Sequence, residues 1–136
     1  MNKNKLTIII KKSIEEVFNF TTNPDNTHKW INGIAEEKTD GYPIGIGTVY
    51  RNRGKNDKEW TEYEVVGFKK NKLFTLRKND FNYHVEYTYR LIDKTTTELT
   101  YTEWVNEGNL EDPFNQSTLK KLKYIMEIQV KVSRPS

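Results

Sequence analysis

Three tyrosines on one side of a single strand are the residues of this chain best suited to do chemistry. Residues 83–91 read Tyr-His-Val-Glu-Tyr-Thr-Tyr-Arg-Leu. Tyr83, Val85, Tyr87, Tyr89 and Leu91 are apolar or aromatic, and every even position from Asn82 to Arg90 is polar. A period of two marks a half-buried β-strand, because successive side chains leave opposite faces of a sheet. A buried phenol is apolar in its body but needs a partner for its hydroxyl. Such a face is either a core whose hydroxyls reach the sheet edge or the wall of a small-molecule pocket. Glu103 is the second candidate. On the strand 96–105, Leu99 sets a phase that turns Thr97, Tyr101 and Glu103 inward. A carboxylate facing an apolar cavity is unfavourable unless paired, and its pKa rises. There it could act as a catalytic base on an acidic proton, or anchor a hydroxylated or cationic ligand. The alternative is a strand that ends near Trp104, with Glu103 in water.

The same parity argument assembles the rest of a candidate ligand-binding set. Tyr50 points inward from the strand 48–53, with Arg51 and Arg53 outside. Val65 turns Thr61 and Tyr63 inward, whereas Trp60 and Val66 favour the opposite phase. No alternation sets the inward side of residues 34–40. The set is Trp30, Tyr50, Tyr63, Tyr83, Tyr87, Tyr89 and Tyr101, with Trp104 at the rim and Leu122, Ile125, Met126 and Gln129 closing the floor. Gln129, polar on an apolar stripe, could hydrogen-bond a tyrosine or a ligand.

Other chemistries find little footing. His28 and His84 are isolated and read as surface histidines, and no His or acidic pair has metal-ligand spacing. Gly45-Ile46-Gly47 precedes a strand and lacks the Lys-Ser/Thr of a phosphate loop. A serine triad would require a nucleophile elbow, which is missing. No metal and no cofactor is expected.

The elements that must hold these residues follow from pattern and punctuation. A strand over 4–11 leads to Ser13-Ile14-Glu15-Glu16, a capping box that starts a helix over 14–22. Asn23-Pro24 starts a second short helix that stops at Gly33. Strands over 34–40, 48–53, 59–68, 73–79, 82–92 and 96–105 follow at hairpin spacing. Asp112-Pro113 then reads as an N-cap with Pro at N1. From there Phe114, Thr118, Leu122, Ile125, Gln129 and Val132 trace one stripe of a long helix, roughly 30 Å at 1.5 Å per residue. Short turns make the sheet antiparallel, and the long helix is the element large enough to cover one face. The expected class is α+β, a seven-stranded antiparallel sheet that curls as it twists. A straight helix leaves part of its concave side unfilled.

The totals narrow the partners. The chain has 136 residues, no cysteine, and 22 Lys+Arg against 19 Asp+Glu, a net charge of +3. There is no disulfide framework and no thiol nucleophile. Acidic residues interleave with the basic ones, which argues against a nucleic-acid face. The longest apolar run near the start, Ile8-Ile9-Ile10, is too short for a signal or membrane segment, so a cytoplasmic location without integral membrane association is expected. Oligomeric state is not readable.

Order and spacing bring out a resemblance. Ile10-Lys11-Lys12-Ser13-Ile14-Glu15-Glu16-Val17-Phe18 resembles the opening of the START-like superfamily, which includes Bet v 1-type and polyketide cyclase/dehydrase and lipid-transport proteins. Trp30, Gly45-Ile46-Gly47-Thr48, Trp60-x-Glu62-x-x-Val65 and Tyr89-x-Leu91 followed by Thr97-x-Leu99 resemble later family segments. Thr95-Thr96 replaces a frequent glycine, and Phe18 the commoner tryptophan. The resemblance spans residues 1–136 and implies one domain with a helix-grip fold: a curved sheet wrapped around the C-terminal helix, two short helices after the first strand, and a cavity between sheet and helix. It implies binding or transport of a small hydrophobic or aromatic ligand such as a lipid, sterol or polyketide. Two alternatives stay open. One is a cyclase, dehydratase or isomerase using Glu103 and tyrosine hydroxyls. The other is an interaction module related to chaperone regulators.

Overall fold

The computed structural model describes residues 1–129, with side chains through Ile128. β1 (Lys3–Ile10) opens the chain. The helix α1 (Ile14–Thr22) begins at the expected capping box: the Ser13 hydroxyl oxygen accepts from the Glu16 N–H, and the Glu16 carboxylate accepts from the Ser13 N–H. α2 (Pro24–Trp30) starts on Asn23, whose side-chain oxygen accepts from the Asp25 N–H. Five strands follow the short β2 (Glu36–Thr39): β3 (Val49–Arg53), β4 (Thr61–Lys69), β5 (Leu73–Lys78), β6 (Tyr83–Asp93) and β7 (Thr96–Val105).

The seven strands form one antiparallel sheet in the order β1-β7-β6-β5-β4-β3-β2. Every neighbour except β1–β7 is a hairpin partner, which is the meander that short turns dictate. Register shifts at Val65/Gly67 and Leu91/Asp93 bend their strands, as bulges do. At Gly67 a Cβ would lie 2.7 Å from Thr75 Oγ1, so the close approach of β4 to β5 requires glycine. This is the helix-grip architecture expected from the sequence.

Alternation places the core on the concave face. Val85, Tyr87 and Tyr89 of β6, Leu99 and Tyr101 of β7, and Val65 of β4 are buried there with Phe18, Leu119 and Leu122. Leu91 breaks the pattern and is 58% exposed, next to the bulge at the end of β6. The phenol row therefore ends at Tyr89.

The last helix departs from expectation at its start. α3 (Gln116–Tyr124) begins on Asn115, whose side-chain oxygen accepts from the Thr118 N–H, and not on Asp112-Pro113. The cause is Glu103: its Oε2 takes the Phe114 N–H at 2.7 Å, which holds that residue in an extended approach. Beyond α3 the chain continues as a π-helical turn, Ile125–Gln129. The expected course to Val132 and the side chain of Gln129 lie outside the described residues.

Candidate functional site

A cavity of about 220 Å³ opens between the middle of the sheet and the α1–α2 corner. Five of the tyrosines picked out by parity line it: Tyr50, Tyr63, Tyr83, Tyr87 and Tyr101. Phe74, Leu76 and Val85 complete the sheet side, and Thr21, Thr27, Ile31, Ile34 and Phe114 face them. The rings meet edge to face, Tyr50 on Phe74 (5.5 Å) and Tyr87 on Tyr101 (5.3 Å), while Phe114 stacks flat on Tyr101 at 4.3 Å. Edge-to-face packing locks ring orientation and makes the walls stiff.

Four of the five hydroxyls divide into two groups. Tyr50 donates to the Thr22 carbonyl at 2.6 Å, tying β3 to the end of α1. Tyr83 donates to Glu103 Oε1 at 2.6 Å. Among the described residues, no protein hydrogen bond is made by the hydroxyls of Tyr63 or Tyr87. Burial pushes both phenols up, that of Tyr63 to about 12 and that of Tyr87 well above its ordinary value. Both stay neutral donors near pH 7 and line the empty space.

The remaining proposed residues sit elsewhere. Trp30 is buried behind the cavity, edge-on to Tyr87 and Phe114. Tyr89 packs on Phe18, and its hydroxyl shares a 2.7 Å hydrogen bond with Thr21. Leu122, Ile125 and Met126 are buried in the core and do not line the cavity. The void is thus bounded by the sheet, α1, α2 and Phe114, while α3 fills the concave face beside it. Trp104 is not at the rim. It lies on the opposite face, stacked on His84 at 4.8 Å, as its cross-strand pairing dictates.

Glu103 is enclosed, 1% exposed, and three donors claim it: Asn4 Nδ2 (2.9 Å), the Phe114 N–H (2.7 Å) and the Tyr83 hydroxyl (2.6 Å). It does not line the 220 Å³ cavity. It borders a more polar hollow of about 280 Å³, and Tyr63 and Tyr83 stand between the two spaces as an edge-to-face pair.

Sequence reasoning missed Glu37. This β2 carboxylate lines the cavity, with Oε1 accepting from Thr27 Oγ1 at 2.6 Å and Oε2 from Asn52 Nδ2 at 3.1 Å. Desolvation raises its pKa, and the two hydrogen bonds partly offset that. In Glu36-Glu37-Lys38-Thr39 every residue is polar, so no periodicity singles out the inward one. The legible signal was indirect: Thr27 and Asn52 are uncharged polar residues at inward positions of α2 and β3. Among the described residues, no group of three or more His, Cys, Asp or Glu side chains is arranged to hold a metal, and no helix is long and apolar enough to cross a membrane.

A curved antiparallel sheet gripping a helix, with an aromatic cavity on its concave side, defines the START-like class. The chain belongs to the polyketide cyclase/dehydrase and lipid transport family, whose model matches residues 1–127. No curated protein matches it. Solved structures agree in fold. A START superfamily protein from Mycobacterium smegmatis superposes with a TM-score of 0.66 at 12% identity, over 98% of this chain and 100% of that one. A polyketide-cyclase-like protein from Corynebacterium glutamicum gives 0.63 at 17%, over 98% and 96%. The Aha1 dimer from Colwellia psychrerythraea gives 0.67 at 17%, over 94% and 98%. Family and fold are consistent with a ligand-binding domain.

Proposed function

We propose that this protein binds a small aromatic ligand carrying polar substituents in the cavity above β3–β7. One observation carries the reading. The hydroxyls of Tyr63 and Tyr87 have no protein partner among the described residues, yet both residues line the same void as the Glu37 carboxylate. Buried polar groups are ordinarily paired, so unpaired donors around an empty space are matched by a ligand or by water.

Size restricts the ligand. An engineered apolar cavity of about 150 Å³ accepts benzene. The 220 Å³ space suits one ring with a short arm, or two fused rings, and is too small for a sterol or a long acyl chain. The broader expectation of lipid or sterol binding narrows accordingly. The alternative of base catalysis by Glu103 loses support, because three donors already engage both of its oxygens and it does not line the cavity.

Thermal shift across a ligand panel tests this. One- and two-ring phenols should raise Tm, whereas cholesterol and a long-chain fatty acid should not. At a hundredfold excess over Kd the stabilisation is about 2.7 kcal/mol, several degrees for a chain of this size. A flat response to every small phenol would contradict the proposal.

A further inference from the structure

We propose that the cavity selects an organic ammonium ion, an arylalkylamine of one ring, with the Glu37 carboxylate as its counter-ion. This deepens the binding reading above and rests on it. Among the described residues that line the cavity, Glu37 is the one charged side chain; no Lys, Arg or His joins it there. Its two donors, Thr27 and Asn52, are both neutral. They fix the carboxylate in place without cancelling its charge. The neighbouring glutamates of the sheet are treated differently: Glu36 pairs with Arg53 at 3.0 Å and Glu62 with Arg51 at 3.4 Å, both toward solvent. The inward, half-buried carboxylate is left without a cation beside the cavity.

The walls complete the recognition. Tyr50, Phe74 and Tyr87 present rings around the same space, and aromatic faces attract a desolvated ammonium. An amine entering here gains an ion pair and ring contacts together. Its own ring would then lie among the apolar side chains of Leu76, Val85 and Phe114. A ligand anion would meet uncompensated repulsion from Glu37.

The titratable groups that face Glu37 are few. They are the phenols of Tyr50 from β3, Tyr63 from β4, Tyr83 and Tyr87 from β6, and Tyr101 from β7, while α2 contributes only Thr27. All five phenols titrate above their ordinary value, so none ionises near neutral pH. Amine affinity should therefore strengthen as pH rises through the raised Glu37 value, since only the ionised form attracts the cation. It should then level off until the amine itself loses its proton.

Calorimetry with three one-ring probes of similar size decides the matter: phenethylamine, 2-phenylethanol and phenylacetate, against wild type and Glu37→Gln. The expected result is phenethylamine binding at least about tenfold tighter than the alcohol at pH 7.5, a factor typical of one desolvated charge contact. Phenylacetate should be weakest, and Glu37→Gln should erase the amine preference while keeping affinity for the alcohol. The wild-type comparison of amine with alcohol stands by itself if the variant does not fold. Equal or tighter binding of the alcohol by wild type overturns the ammonium proposal and leaves the cavity reading intact. Absence of binding by all three probes, with small phenols also silent in the thermal-shift panel, overturns both.

Discussion

Glu37 and Glu103 both turn inward from the same sheet, and what surrounds them differs in kind. Glu103 is met by three donors from three separate places: Asn4 on β1, Tyr83 on β6 and the Phe114 backbone. Both of its oxygens are engaged. Glu37 is met by two neutral donors and then by empty space. The first is a fastener, joining the sheet edge, its centre and the approach to α3. The second is held in readiness. A buried carboxylate is thus not a functional sign by itself; the sign is an unmatched remainder of its bonding capacity beside a cavity.

Substitutions should separate the two roles, beginning with the largest effect. Glu103→Ala leaves the Tyr83 hydroxyl and the Phe114 N–H without an acceptor, while Asn4 Nδ2 keeps only the Phe114 carbonyl. The expected loss is about 3 kcal/mol or more, read from urea denaturation. This is a large share of the total stability of a typical domain. A loss below about 1 kcal/mol would show that Glu103 is not the fastener described.

Tyr50→Phe removes the donor to the Thr22 carbonyl at the end of α1. A loss of about 1–2 kcal/mol is expected, and faster amide exchange at the C-terminus of α1 should accompany it.

Glu37→Gln should act in the other direction. Desolvation makes the folded-state carboxyl a weaker acid than in the unfolded chain. The native state then binds more protons in that range, and stability falls as pH rises from the ordinary glutamate value through the raised one. Removing the charge abolishes that fall. Thermal melts should therefore show a larger gain, or a smaller loss, in Tm from pH 4 to pH 8 in the variant than in wild type, with Tm unchanged or higher at pH 8. A variant less stable than wild type at pH 8 would mean that the carboxylate has a compensating partner.

Tyr87→Phe is the finest discriminator. No protein bond is lost, so stability should change by less than about 0.5 kcal/mol, whereas affinity for a phenolic ligand should drop by about fivefold. Tyr89→Phe breaks the Thr21 bond and should show the reverse pattern, destabilised with affinity unchanged.

Much of this was readable beforehand, for reasons tied to particular residues. The period of two in β6 and β7 placed Tyr83, Tyr87 and Tyr101 against the cavity, because alternation on a pleated strand admits only one inward set. Leu91 escaped that logic because a bulge is a local insertion that periodicity does not register. The start of α3 was misplaced because Asp112-Pro113 is a good local helix signal, overridden by a hydrogen bond from Phe114 to Glu103 eleven residues earlier. The burial of Glu103 depends on Asn4, a partner 99 residues away, which no local pattern reveals. Glu37 was invisible because all four residues of β2 are polar, and its partners come from α2 and β3. Trp30, Tyr89 and the apolar stripe of α3 were identified as inward, as they are, but inward includes both wall and filling. Parity cannot divide the two.

The most direct measurement is a two-dimensional NMR titration of protein labelled in the tyrosine rings with 2-naphthol. The ring signals of Tyr63, Tyr87 and Tyr101 should shift together with one saturable constant, while Tyr124, which lies exposed on α3, stays fixed. Shifts confined to Tyr124 and other surface rings, with Tyr87 unmoved at saturating ligand, would contradict a cavity that receives guests.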